Sequence, residues 1–149
     1  MDKEYNKKLV EKYPFLLPYG YDGELPEDYD YEYTWLDQMP SGWRKAFGEQ
    51  MCAEIEALLE TINYQNEYYI LQIKEKWGYL HWYGTGVPKE VYDDLDKIIA
   101  KYEDLSKKIC IECGAPATHK TTGWISLPYC VICATKYRDT VPMEDRNGI

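Results

Sequence analysis

The chain has 149 residues, of which 45% are hydrophobic and 29% charged, long enough to bury a core without disulfides. No apolar run approaches the roughly 18 residues a membrane span needs, so a membrane protein is not expected. Asp and Glu outnumber Lys and Arg by 26 to 17, a net charge of −9, which disfavours direct binding to nucleic acid and favours a basic protein partner.

The acidity is uneven. Residues 1–109 hold 22 acids against 13 bases, whereas residues 110–149 hold four of each. The densest stretch comprises Asp22, Glu24, Glu27, Asp28, Asp30, Glu32 and Asp37, with no Lys or Arg among them. The first six of these are candidate partner-binding residues. Sixteen Tyr and five Trp against two Phe supply side chains with a large apolar body and a polar tip, suited to small cores and to protein interfaces.

In chain order, residues 2–13 have the pattern of a short helix with Tyr5, Leu9 and Val10 on one side, stopped at Pro14. Residues 19–30 carry Gly20, Gly23 and Pro26 among acids and read as an ordered or semi-ordered loop. Ser41, after Pro40, is a candidate N-cap for the strongest helix, whose stripe is Trp43, Phe47, Met51, Ile55, Leu58 and Ile62. Cys52 lies within that helix as a small core residue. Residues 68–76 and 79–83 flank Trp77-Gly78 and predict a β-hairpin. Pro88 opens a second long helix with Val91, Leu95, Ile98, Tyr102, Leu105 and Ile109 as its buried stripe. The sum is an α+β fold, with helices packed on a small antiparallel hairpin sheet.

Cys110-Ile111-Glu112-Cys113-Gly114 is followed, with sixteen residues between Cys113 and Cys130, by Cys130-Val131-Ile132-Cys133. Two Cys-x-x-Cys pairs at this spacing read as one tetrahedral site, because each pair curls back to aim both sulfurs at the same ion. Structural Zn2+ is the expected ion, although spacing alone leaves an iron tetrathiolate open. Gly114 suits a turn that needs positive φ, and Ala134 at the equivalent place predicts a differently shaped second turn. Residues 117–122 and 124–129 flank Gly123 as strand candidates of a zinc-ribbon-like hairpin, with Trp124, Ile125 and Tyr129 expected to dock it on the second long helix. Lys120, Lys136 and Arg138 are near enough in sequence to offset a negative tetrathiolate. The expected organisation is an acidic α+β body over residues 1–109, a four-cysteine zinc-ribbon-like module over 110–138, and a flexible tail over 139–149.

His81 and His119 are the only histidines. Neither forms a nucleophile or metal motif with its neighbours, no phosphate-binding Gly-rich loop is present, and no enzymatic activity is expected. Charged opening residues with no apolar segment after them predict a cytoplasmic protein.

A resemblance is carried by Met39-Pro40-Ser41-Gly42-Trp43-Arg44, by Leu71-Gln72-Ile73-Lys74-Glu75-Lys76-Trp77-Gly78 with Leu80, Trp82 and Tyr83, and by Cys113-Gly114, Gly123-Trp124 and the second cysteine pair. Together they resemble an uncharacterised family of bacteria and their phages, over most of residues 35–135. Members often have His where this chain has Cys133, which agrees with a ligand position. In size, acidity and metal usage the chain is also similar to the small anti-CRISPR proteins, among them a zinc-containing inhibitor of Cas9. That likeness implies a protein that binds Cas9 in the bacterial host cell and prevents DNA engagement or cleavage. The same electrostatics fit an immunity or adaptor protein neutralising a basic toxin or nuclease, and a ribbon of this kind can also serve as a nucleic-acid-binding module.

Overall fold

The computed structural model describes residues 2–136 and 139–143. Helix α1 (Lys3–Lys12) is capped by Asp2, whose side chain accepts the Tyr5 N–H. It buries Asn6, Leu9 and Val10, while Tyr5 stays largely exposed. The buried face is therefore rotated one residue from the expected one, because the Asn6 amide is needed inside: it donates to the Tyr31 carbonyl at 2.8 Å.

The strongest predicted helix forms as one helical run made of α2 (Ser41–Trp43), a π-helical segment (Arg44–Gly48) and α3 (Glu49–Glu60). Trp43, Phe47, Met51, Ile55 and Leu59 are its buried residues at uniform steps of four. On an ideal α-helix such a stripe drifts by roughly 40° per step, and the wide π turn takes up part of that drift. The stripe ends at Leu59 instead of Leu58 and Ile62, since Asn63 turns left-handed (φ 58°) and Tyr64 N–H closes on the Leu59 carbonyl at 3.0 Å.

Strands β1 (Tyr69–Lys76) and β2 (Tyr79–Thr85) form the hairpin around Trp77-Gly78, pairing Ile73 with Trp82 and Glu75 with Leu80. Ile70, Ile73, Leu80 and Trp82 are buried against Phe15 and the helices. Trp82 donates to the Tyr68 hydroxyl at 3.0 Å, which satisfies an indole that burial would otherwise leave unpaired. Helix α4 (Tyr92–Ser106) follows a 3-10 turn (Lys89–Val91) and buries Leu95 and Tyr102, with Ile98 and Leu105 packed at the edge. Glu54 of α3 joins the two long helices, accepting from Lys101 at 2.6 Å and from the Tyr102 hydroxyl. Cys52 is fully buried and burial pushes its thiol up, so it is a core residue.

The C-terminal module adds β3 (His119–Thr121), β4 (Pro128–Tyr129), α5 (Val131–Ala134) and β5 (Thr140–Pro142), in an antiparallel sheet ordered β4-β3-β5. The expected flexible tail is thereby corrected in its first part: Thr140, Val141 and Pro142 pair with Thr121, Lys120 and His119. Residues 144–149 lie outside the described residues. The expected α+β class with a ribbon-like module holds. No helix among the described residues is long and apolar enough to cross a membrane.

On α3, Glu56 has a buried carboxyl oxygen without a partner, and burial together with Glu60 one turn later raises its pKa to about 7. The folded chain then holds a proton that the unfolded chain releases near its ordinary value. Glu56 therefore favours folding at acid pH, and this contribution is lost as pH rises through about 7. Thermal unfolding of Glu56→Gln at pH 8 should show a gain of about 1 kcal/mol, roughly 3 °C in Tm, and a weaker fall in Tm between pH 5 and 8. An unchanged pH profile would contradict this.

Candidate metal centre

Past α4 the chain makes a tight loop. Cys110 N–H donates to the Ala115 carbonyl at 2.7 Å and Gly114 N–H to the Cys110 carbonyl at 3.1 Å. Gly114 has φ 89°, as the sequence anticipates, which an L side chain adopts only with strain. The loop turns the sulfurs of Cys110 and Cys113 inward.

The second pair is built differently, which accounts for Ala134 where the first has Gly. Cys130 is the N-cap of α5, and its sulfur accepts the Cys133 N–H at 3.4 Å. That backbone bond, with help from neighbouring sulfurs, lowers the Cys130 pKa to about 7, whereas burial raises that of Cys133. A helix N-terminus favours a thiolate at its cap.

All four sulfurs lie within 4.8 Å of one another. Those of Cys113 and Cys130 are 3.6 Å apart, and the cysteines are unbridged. A tetrahedron of thiolates at about 2.3 Å from an ion has edges of about 3.8 Å, whereas a disulfide holds its sulfurs at about 2.05 Å. The arrangement is compatible with a structural metal site. Cys110, Cys130 and Cys133 are buried and Cys113 is half-buried. Four thiolates at these positions would fill the coordination of a tetrahedral ion.

The module is seated on the body through its first loop. Gly42 N–H donates to the Ile111 carbonyl at 2.9 Å, Ser41 Oγ to the Glu112 carbonyl at 3.0 Å, and the Trp43 indole to the Ile109 carbonyl at 3.0 Å. A Cβ at Gly42 would come within 2.6 Å of the Ile111 carbonyl carbon and closer still to the Cys110 oxygen. One at Gly114 would meet the Gly42 oxygen at 2.8 Å. Two glycines thus allow backbone to meet backbone beside the cysteines. The turn glycine Gly78 similarly abuts Ser126 of the module.

This corrects the expected docking. Trp124 is 95% exposed and does not face α4, because Gly123 (φ 101°) turns the hairpin tip away into solvent. Of the three expected anchors, Tyr129 is buried, and it packs in the cluster around the cysteines. Ser41 is the first helical residue and not the N-cap, its hydroxyl being committed to Glu112. The sequence carries one signal of this seat: glycine in a first helical turn costs roughly 1 kcal/mol relative to Ala, which calls for a reason such as close backbone approach.

The remaining sequence candidates do not converge on the sulfurs. His119 lies on β3 with Nδ1 2.9 Å from the Thr118 hydroxyl, outside the ligand cluster. His81 sits on the outer face of β2 opposite Lys74, and burial followed by Lys76 and Lys74 lowers its pKa. Lys136 pairs with Glu112 of the first loop, and Arg138 lies outside the described residues. Asp22, Glu24, Glu27, Asp28, Asp30 and Glu32 are all exposed, far along the chain from the cysteines.

No family model matches the chain, and no curated protein or solved structure matches it.

Loss of either the ligands or the seat should release the metal. Cys113→Ala and Cys130→Ala are expected to purify with less than about a fifth of the metal of the parent chain. Gly42→Ala, which removes no sulfur but pushes on the Cys110 and Ile111 carbonyls, should lower stability by about 3 kcal/mol through overpacking and backbone displacement. Elemental analysis and thermal melts check both. Parental stability in Gly42→Ala would contradict the close-approach assignment.

Proposed function

We propose that this chain is a zinc-stabilised binding protein that acts by occupying a basic protein, and that the partner is a Cas9-type nuclease whose DNA engagement or cleavage it prevents. Zn2+ is the ion best suited to four thiolates in a closed site, with an iron centre as the competing reading that elemental analysis separates. Nucleases of this kind hold guide and target in positively charged channels, which a strongly acidic protein can enter or block.

The observation that carries the reading is the fixed conformation of the acidic segment. Asp28 and Tyr31 both have positive φ (64° and 68°), and the Asn6 amide of α1 holds the Tyr31 carbonyl. Tyr29 packs edge-on to Tyr33 with ring centroids 5.5 Å apart, and Lys7 lies 5.5 Å over the Tyr31 ring. Lys3 pairs with Asp30 at 2.9 Å; its hydrogen bond to Asp30 lowers the Asp30 pKa and raises its own. A solvated charge run needs none of these ties. They hold residues 28–33, and turns closed by Gly23 N–H on the Gly20 carbonyl and Tyr29 N–H on the Pro26 carbonyl hold the residues before them, so that Asp22, Glu24, Glu27 and Asp28 are exposed carboxylates with little ordering left for binding to impose. Asp30 has its charge met within the chain.

Glu27→Gln with Asp28→Asn, the latter tolerant of positive φ, should slow association with the basic partner about threefold at low salt and leave Tm within about 1 °C. Asp30→Asn should slow it less. Stopped-flow or biosensor kinetics check the order of these effects. Normal DNA cutting by Cas9 at large molar excess of this protein would sink the nuclease version.

A further inference from the structure

One seam of this acidic protein has the opposite character. Between the hairpin turn and the C-terminal module lies a cavity of about 240 Å³ whose lining includes Trp77, Tyr79, Lys107 and Lys120, and no carboxylate. Lys120 stands at the centre of the module's sheet, on β3 between β4 and β5, half-buried and without an ion pair among the described residues. Lys107 lies 4.9 Å over the Tyr79 ring, meets the exposed Asp104 at 3.5 Å, and its charge also reaches Glu103. A half-buried lysine with no carboxylate partner among the described residues, in a chain carrying nine excess negative charges, is where an external anion is favoured.

A second, independent feature points to an aromatic ligand. Trp77 occupies the hairpin turn at φ 58°, a conformation that suits Asn or Gly and that a bulky side chain adopts at a cost, and the residue is 60% exposed. Turn formation alone would select Asn-Gly. The strained residue therefore presents an indole face at the rim of the lysine-lined seam.

We propose that this seam binds one nucleotide unit of single-stranded nucleic acid, its base stacked on Trp77 and its phosphate held between Lys107 and Lys120. Base stacking on an exposed indole and phosphate neutralisation by lysine are the two interactions that sequence-tolerant strand binding uses. The site stands on different residues from the acidic face, and it reverses locally the expectation, drawn from net charge, that the chain avoids nucleic acid. It is also small enough that only a unit or two is gripped, so binding is weak and salt-sensitive.

The test is fluorescence anisotropy of a labelled ten-nucleotide oligo-dT with the intact, metal-loaded chain at about 20 mM salt, where phosphate contacts are least screened. Saturable binding is expected, weakened at least fivefold by Trp77→Asn, which keeps the turn, and restored in large part by Trp77→Phe. Lys107→Gln and Lys120→Gln should each weaken it about fivefold and reduce the slope of log affinity against log salt by about 0.7. Lys97→Gln, on the exposed face of α4, should change nothing. Unchanged metal content and Tm establish that each variant is folded. The proposal is overturned if the parent chain shows no saturable binding, if Trp77→Asn binds as the parent does, or if dTMP competes as well as unlabelled oligo-dT, which would make the site one for free nucleotides.

Discussion

The structure depends on a contact between two backbones. For the Cys110–Cys113 loop to lie against the start of the long helical run, Gly42 must lack a side chain, because a methyl group there would overlap the Cys110 and Ile111 carbonyls. Three hydrogen bonds, from Ser41, Gly42 and Trp43 to carbonyls of the loop and its approach, follow from that contact. Each contributes about 1 kcal/mol net, but leaving the buried Gly42 N–H or Trp43 indole unpaired costs more. The metal ligands and the body's first core helix therefore share one seat. The module is not an appendage on a tether.

That seat explains why a small module with a thin core of Cys110, Tyr129, Cys130, Cys133 and Ala134 holds its shape. Ile111 packs against both this cluster and the main core, so the apolar interior is continuous across the junction. Ala46, within 3.7 Å of where a Gly114 Cβ would stand, belongs to the π-helical segment. The wide turn that keeps Trp43 and Leu59 on one buried stripe thus lies directly under the cysteine loop. Cysteine loop, seat and helix geometry are parts of one mechanical unit.

Much of this was legible in the sequence, for local reasons. The cysteine spacing implied a four-sulfur cluster, Trp77-Gly78 marked the hairpin turn, and the stripes through Trp43 and Leu95 marked two long helices. What was not legible was non-local. The π turn arises from a stripe at uniform four-residue steps, whose drift matters only once a core exists to face. Strand β5 depends on β3 offering a free edge, and nothing in Thr140-Val141-Pro142 alone announces it. The role of the Pro40-Ser41-Gly42-Trp43 run, visible as a motif, becomes physical only when the cysteine loop is laid upon it. The acidic loop read as a solvated acidic loop or a binding surface alike, and the deciding residue, Asn6, lies on another element.

Hydrogen exchange read by mass spectrometry on the metal-loaded chain, before and after a chelator strips the ion, tests the shared seat most directly. Residues 41–48 should lose protection together with residues 109–134, while residues 52–59 and the hairpin keep theirs. Full protection of residues 41–48 in the stripped protein would show that the metal loop merely leans on the body, and would contradict a seat held in common.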